Sequence, residues 1–464
     1  MTQSSSDRGS SDPPQTATTS EAIGASLLGR MNNVPFSRWH MRARVVMGSA
    51  TFFDAFDALS LAFILPVLKV QWGLSIAQVG LLISIGYIGQ LVGALVSGAL
   101  ADRIGRTRTG ACAIGLMSIM AIVCVFTHNY AGLFACRLIQ GIGVGGEVPV
   151  AAVYISEISP AHARGRFFIL YELIFPLGLM ATGQLGAWLV PTYGWQSMFV
   201  LGGASGLVIA ALVLFLPESP RWLINQRRYA DAERIIEAVE ASTPLRQEQS
   251  PAPVPLPAST RVRWRELFAP LYRYRTLVVW VLWFCSYLVS NGLNNWLPTL
   301  YRSEFHLSLS SALRTASMTN LLQVFTTLAC ALLVDRWGRR TWAAGTYITA
   351  AVLLLCLAFG GTHSVVRVAC LATLAYAVIG STNVLLYLYT PEIYPTRMRA
   401  VGTGVATAWL RIGSSAGPLF VAALFAQGGL SRVFLVFAGV CLVAFVTSLL
   451  MIETRGRRLE DIAP

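Results

Sequence analysis

The chain is short of charge. Only 12% of its 464 residues are Asp, Glu, Lys or Arg, about half the share that a soluble domain of average composition carries. Lysine is nearly missing: 34 of the 35 basic residues are arginine, and the other is Lys69. With 55% apolar residues and a mean hydropathy of +0.60, that deficit excludes an ordinary water-soluble enzyme. It equally excludes a disordered, collagen-like or disulfide-framework protein. Histidine is scarce. The five, His40, His128, His162, His306 and His363, sit at or beyond the ends of apolar runs, and the sequence has no Ser/His/Asp order, HExxH helix or Walker loop. The chain is therefore read as no enzyme, with no cofactor, no metal and no ATP-driven engine. The eight cysteines fall inside apolar stretches without metal-ligand spacing, which leaves them as small packing residues. The first 30 residues are rich in Ser, Thr, Gln and Pro and lack an apolar core, so they read as a tail rather than a signal peptide.

What the chain does have is long apolar runs. A helix crosses a bilayer with about 20 apolar residues. Twelve runs qualify: 45–68, 77–101, 109–127, 131–155, 167–190, 196–216, 276–300, 312–334, 341–360, 366–389, 400–426 and 431–452. Their continuous apolarity excludes a β-barrel, which would alternate. The expected fold is all-α: a polytopic membrane protein with twelve transmembrane helices in two pseudo-symmetric six-helix bundles, 41–216 and 276–452. A disordered tail is expected over 1–40, a polar linker with short helices over 217–275, and a C-terminal tail over 453–464. In the linker, 229–242 has a helical apolar period, with Ile235, Ile236 and Val239 beside Glu233, Glu237 and Glu240, and reads as a surface helix. Residues 250–259, SPAPVPLPAS, read as a Pro-rich connection without a fold.

The net charge of +13 does not point to nucleic acid, because the arginines occupy short connections between spans. One side collects 28 of them; the other holds Lys69, Arg302, Arg314, Arg367 and Arg432, while Arg137 and Arg411 lie inside spans. The positive-inside rule then places both termini in the cytosol. The chain also repeats itself. Asp102-Arg-Ile-Gly-Arg106 matches Asp335-Arg-Trp-Gly-Arg339; Glu157-Ile-Ser-Pro with Arg164 matches Glu392-Ile-Tyr-Pro with Arg399; Glu218 matches Glu453. A near-constant offset across these pairs implies two homologous halves, an architecture that places binding sites at the interface between them.

These motifs resemble those of the major facilitator superfamily. Gly98-x-x-x-Asp102-Arg103-x-Gly105-Arg106 is similar to its loop 2–3 signature. Pro217-Glu-Ser-Pro-Arg221-Trp-Leu223 and Pro391-Glu-Ile-Tyr-Pro395 resemble signatures of its sugar-porter and organic-ion branches. Phe52-Phe-Asp54-Ala-Phe-Asp57 resembles the first-helix motif of aromatic acid/proton symporters and bacterial niacin permeases, with Ala55 where those usually have Gly. Glu147, after the glycine run 141–146, sits closer to the niacin permeases. The resemblance implies a gate built from Asp102, Arg106, Glu157, Arg164, Glu218, Arg221, Asp335, Arg339, Glu392 and Arg399, locked in the outward-open state. Bland solvated charge explains the sign of these residues but not their repeated order.

Asp54, Asp57, Arg137, Glu147, Glu172 and Arg411 are ionisable residues in or near spans, where insertion of a charge costs about 2.5–3.5 kcal/mol at mid-helix. Function is the default reading and structural ion pairing the alternative. For Arg137 the two are evenly matched; it is too far along its own helix to pair with Glu147, so its partner would come from another helix. Asp54 and Asp57 share a helix face and are the candidates for proton coupling. The glycine run reads as close helix packing. Trp283, Asn291, Asn294 and Tyr387, with Glu147 and Glu172, are the candidates for substrate contact around Arg411. Gly292 and Pro298 are expected to break the helix there, and Trp296 to be an interfacial anchor. In related organic-ion carriers the position of Arg411 tends to be Asp for cations and Arg for anions, so the resemblance implies an anionic substrate, held bidentately by the guanidinium. The leading reading is a secondary transporter of the bacterial inner membrane, monomeric, that imports a small aromatic monocarboxylate, foremost nicotinate, with protons. Another aromatic acid such as a hydroxybenzoate, an organic cation, and a non-transporting membrane sensor are the alternatives.

Overall fold

The computed structural model describes residues 19–34, 37–158, 173–242, 264–360, 363–395 and 398–455. The described residues are helical with short connections. Helix α1 (Thr19–Asn33) precedes the first bundle, made of α2 (Arg38–Gln71), α3 (Ile76–Ile104), α4 (Arg106–Val125), α5 (Tyr130–Ile158), α6 (Ile174–Tyr193) and α7 (Gln196–Leu214). Two short helices follow, α8 (Pro220–Asn225) and α9 (Tyr229–Ala241), and then a 3-10 turn over Trp264–Phe268. The second bundle comprises α10 (Arg273–Ser303), α11 (Leu309–Trp337), α12 (Arg339–Phe359), α13 (Val365–Glu392) and α14 (Arg399–Leu449). Eleven of these helices are long and apolar enough to span a membrane. The last contains two spans: α14 has 51 residues and leaves helical geometry at Gly428 and Gly429, the latter with φ +66°. Both its ends lie with the arginine motifs, since Arg399 bonds Tyr394 near its start and Glu453 bonds Arg339 just past its end. The chain therefore crosses and returns there, which makes twelve spans among the described residues.

Large apolar side chains such as Leu95, Leu332, Phe359 and Val366 face outward, each about 70% or more exposed, as a lipid-facing surface requires. Inside the first bundle, α3 and α5 meet through glycine. A Cβ at Gly89, Gly93, Gly141 or Gly145 would run into the backbone of the facing helix. That is close packing of the kind small residues permit. The serine caps repeat with the halves: Ser75 accepts from Gln78 at the start of α3, and Ser308 accepts from Ser311 at the start of α11.

Two expectations fail here. The segment 1–40 is not all tail, because α1 is helical and α2 already begins at Arg38. Leu27 and Leu28 of α1 pack with Trp222, Leu223 and Ile224 of α8 and Ala232 and Ile236 of α9, and Arg30 clasps Glu240 with bonds of 3.0 and 2.7 Å. A weak helix former gains order by docking. Helix α10 also runs unbroken through Gly292 and Pro298. Proline removes one N–H, and neighbouring helices tolerate that; Gly292 is there because a Cβ would strike the ring of Phe437. The fifth expected span begins at 167, outside the described residues, and so does the Pro-rich connection 250–259.

Candidate functional site

The arginine-motif end is built twice. At the α3–α4 turn, Gly105 has φ +106° and its N–H bonds Ala101, a conformation that favours glycine. A Cβ there would collide with the Glu218 carboxylate, which accepts from the backbone N–H of Arg106 at 2.9 Å and of Thr107 at 3.3 Å. Glu218 thus caps the N-terminus of α4, where an anion meets the free amides and the helix dipole. Arg106 then reaches Asp102 at 2.7 Å and Glu157 at 3.1 Å. The second half matches it part for part. Gly338 has φ +91°, and Glu453 accepts from the N–H of Arg339 at 3.0 Å and of Arg340 at 3.1 Å. Arg339 reaches Asp335 at 2.8 Å and Glu392 at 3.3 Å. One more pair emerges only in three dimensions: Tyr154 donates to the Pro217 carbonyl at 2.8 Å, while Tyr389 accepts from the Ile452 N–H at 3.0 Å.

Each ionic set fastens helices of its own half. The bonds between halves lie toward the opposite end of the spans. Ser84 donates to the Ser415 carbonyl at 2.7 Å, and Gln184 to Ser317 at 3.3 Å. Tyr87 donates to Asn291 at 2.6 Å and accepts from Asn295 at 3.1 Å. The Arg106 and Arg339 sets are therefore formed while the halves are joined at the other end, so their formation alone does not mark an outward-open state. Of the other expected gate residues, Arg221 is half-buried in the first turn of α8, and Arg399 donates to the Tyr394 carbonyl at 3.1 Å instead of an acid. Arg164 and Glu172 lie outside the described residues.

Midway along the spans the first half is charged. Arg137 on α5 lies 3.4 Å from Asp57 on α2. Gln140 bridges them, accepting from Arg137 at 2.9 Å and donating to Asp57 at 2.5 Å. All three are buried. One turn along the same face of α2, Asp54 has an oxygen with no hydrogen-bond partner. Glu147 accepts from Thr51 at 3.2 Å through one oxygen, and its other oxygen is unpartnered.

The second half presents amides, rings and one cation. Arg411 on α14 is 6% exposed. One terminal nitrogen donates to the Thr407 carbonyl at 3.2 Å, and its Nε has no partner among the described residues. Asp54, Tyr287 and Tyr387 act on it electrostatically, yet no acid of the described residues comes within ion-pair distance of it. Trp283 is fully buried, donates to Thr390 at 3.0 Å, stacks on Tyr287 at 5.5 Å and meets Tyr387 edge-on at 4.6 Å. The tryptophan thus supports the two half-buried tyrosines rather than presenting its own face. Asn291 is engaged by Tyr87 and by Ser414 at 3.0 Å. Asn294 bonds Asn320 at 3.1 Å and Tyr376 at 3.0 Å, and Tyr376 bonds Gln323 at 2.8 Å. Trp296 is no interfacial anchor: it is 2% exposed and donates to the Pro418 carbonyl at 3.2 Å, because α10 continues past it to Ser303. Tyr87, Gln140, Asn320, Gln323 and Tyr376 were not among the sequence candidates. Polarity inside an apolar run was their one signal, and it does not say which of them converge.

Two homologous bundles that meet around buried, incompletely bonded polar groups, with ion sets repeated at one end, define a polytopic membrane carrier. The chain belongs to the sugar (and other) transporter family of the major facilitator superfamily, whose model matches residues 36–464. It is 34% identical to the niacin transporter NiaP of Acinetobacter baylyi, over 94% of this chain and 99% of that protein. It is 29% identical to the gallate transporter of Pseudomonas putida, over 93% and 95%. Its fold is similar to an inward-open structure of the xylose transporter XylE from E. coli, with a TM-score of 0.70 and 18% identity over 91% of this chain and 99% of that one. Members of this superfamily move solutes and are not enzymes.

Proposed function

We propose that the chain imports a small aromatic monocarboxylate, foremost nicotinate, together with protons, by alternating access between its two halves. The observation that carries this reading is Arg411, a guanidinium buried between the halves with an unpartnered Nε and no acid within ion-pair distance among the described residues. Buried cations are paired unless a ligand supplies the counter-charge, and the planar fork of arginine fits a carboxylate bidentately. Tyr287 and Tyr387, both packed on Trp283, act on it electrostatically and favour an aromatic partner for the carboxylate. The names of the two relatives, a niacin and a gallate transporter, favour an aromatic acid and leave a hydroxylated benzoate as the second reading. Proton coupling is assigned to Asp57, whose pairing with Arg137 and Gln140 would be released by protonation. The 28-to-5 bias of basic residues favours cytosolic termini in a bacterial inner membrane, with the Arg106 and Arg339 sets as the gate hardware on that side. A monomer is the working oligomeric state.

A thermal-shift screen of purified protein against nicotinate, benzoate, 4-hydroxybenzoate and organic cations tests the assignment. A ligand that binds only the folded state raises the melting temperature by mass action. Stabilisation by the acids and not by the cations is expected; the reverse order would overturn the anion reading.

A further inference from the structure

At the end opposite the arginine motifs, the turn between α12 and α13 frames a groove of about 750 Å³ on the outside of the second bundle. Helix α12 starts at Arg339, within the motif set, and ends at Phe359, which fixes that placement. Phe359 and Val366 stand beside the groove and face outward, 77% and 71% exposed, so it opens toward lipid. Its floor is low because the residues one turn deeper are small. Cys356 and Cys370 are both exposed, on stripes whose next outward residues are the larger Val352 and Leu374. Its mouth is polar. Arg367 sits in the first turn of α13 and donates to the Gly360 carbonyl across the turn. Ser364 caps the helix and accepts from the Arg367 N–H at 3.4 Å, while the amides of Val365 and Val366 keep no partner inside the helix.

Arg367 lacks a counter-ion. None of the ion pairs among the described residues includes it, and the carbonyl it holds is neutral. Its own side of the molecule is short of acids: the span ends and connections there carry Lys69, Arg302, Arg314, Arg367 and Arg432 against a single acid, Glu304. A second copy of this chain brings the same shortage. A soluble anion would leave the apolar floor bare. The occupant that answers both parts carries an anion at the level of the span ends and a hydrocarbon chain below it. We propose that the groove seats one anionic phospholipid of the surrounding leaflet, its phosphate on Arg367 and the first amides of α13 and an acyl chain against Cys356, Cys370 and Leu371. A guanidinium takes a phosphate bidentately, and an anion at a helix N-terminus gains from the free amides and the dipole. The polar mouth and the apolar floor are one turn apart, about 5 Å along the helix, the step from a headgroup to the top of its chains. The site is separate from the interface between the halves and holds whichever solute is carried.

The test is native mass spectrometry of the delipidated full-length protein in detergent, titrated with palmitoyl-oleoyl phosphatidylglycerol and with the phosphatidylcholine of the same chains. The wild type should take its first phosphatidylglycerol about fivefold more tightly than phosphatidylcholine, the weight of one basic residue at an anionic lipid surface. Arg367→Ala should bind the two lipids equally, and Arg367→Lys should keep most of the preference. Cys370→Trp fills the floor and should weaken the first adduct of both lipids alike. Arg314→Ala removes another exposed cation of the same side that does not line the groove, and should leave the preference intact. Melting temperatures equal to the wild type's show that the variants are folded. A preference that survives Arg367→Ala, or that Arg314→Ala lowers as much, would overturn the proposal in favour of a diffuse field. Unchanged binding in Cys370→Trp would remove the acyl chain from the groove. Displacement of phosphatidylglycerol by free glycerol phosphate would make the site one for soluble anions and overturn the lipid assignment.

Discussion

The two halves agree at one end and disagree in the middle. At the motif end, Asp102, Arg106, Glu157 and Glu218 reappear as Asp335, Arg339, Glu392 and Glu453 with bond lengths that match to within a few tenths of an ångström. Halfway along the spans the correspondence is gone. At the 235-residue offset of the Glu157/Glu392 and Glu218/Glu453 pairs, Arg137, Gln140 and Glu147 correspond in sequence to Ala372, Ala375 and Thr382. The first half holds the buried charges of α2 and α5. The second holds amides, tyrosines and the single cation Arg411. What both halves do alike, fastening their own helix ends, stayed duplicated. What only one site needs diverged: on this account the first half handles the proton, and the second the carboxylate and the ring.

The comparison breaks most easily at its unlike centre. Arg411→Ala should abolish nicotinate binding, a loss of about 2–5 kcal/mol by analogy with desolvated charge pairs, while the protein still inserts and folds; Arg411→Lys should keep part of it. Equilibrium binding by calorimetry reads both. Asp57→Asn comes next. Uptake by the wild type should rise as the external pH falls, because a proton delivered to Asp57 releases Arg137. The variant should lose pH-driven accumulation yet retain exchange of labelled for unlabelled substrate, which transport assays in proteoliposomes separate.

The like ends offer a symmetry test of smaller size. Gly105→Ala and Gly338→Ala each force a side chain into a positive-φ position and against a capping glutamate, at a cost of about 1–3 kcal/mol apiece. Thermal melts should show equal losses in the two variants; a wide disparity would mean that the duplicated ends no longer do the same work. The smallest effect belongs to the part without a counterpart. Arg30→Ala removes a half-exposed ion pair between α1 and α9 and should lower stability by about 0.2–1 kcal/mol without changing substrate affinity.

The like ends were also the legible ones. Twelve apolar runs and three offset motif pairs are patterns along the chain, and membrane helices follow apolar length closely because lipid satisfies no backbone group. Glu218 and Glu453 could be matched to each other from sequence, though their capping of α4 and α12 needed the turn geometry at Gly105 and Gly338. The centre was half legible. Arg137, Asp57 and Arg411 stood out as costly charges, but the convergence of Asn294, Asn320, Gln323 and Tyr376 from three helices has no linear signature. Helix α1 was missed because its own apolar content is weak; its order comes from α8 and α9, which sequence distance conceals.

Counterflow in proteoliposomes tests the central claim most directly. Vesicles carrying the purified chain are loaded with unlabelled nicotinate and diluted into labelled nicotinate, with Arg411→Ala as the paired sample. The account predicts transient accumulation of label by the wild type and none by the variant. Equal accumulation by a folded Arg411→Ala protein, or none by the wild type, would contradict it.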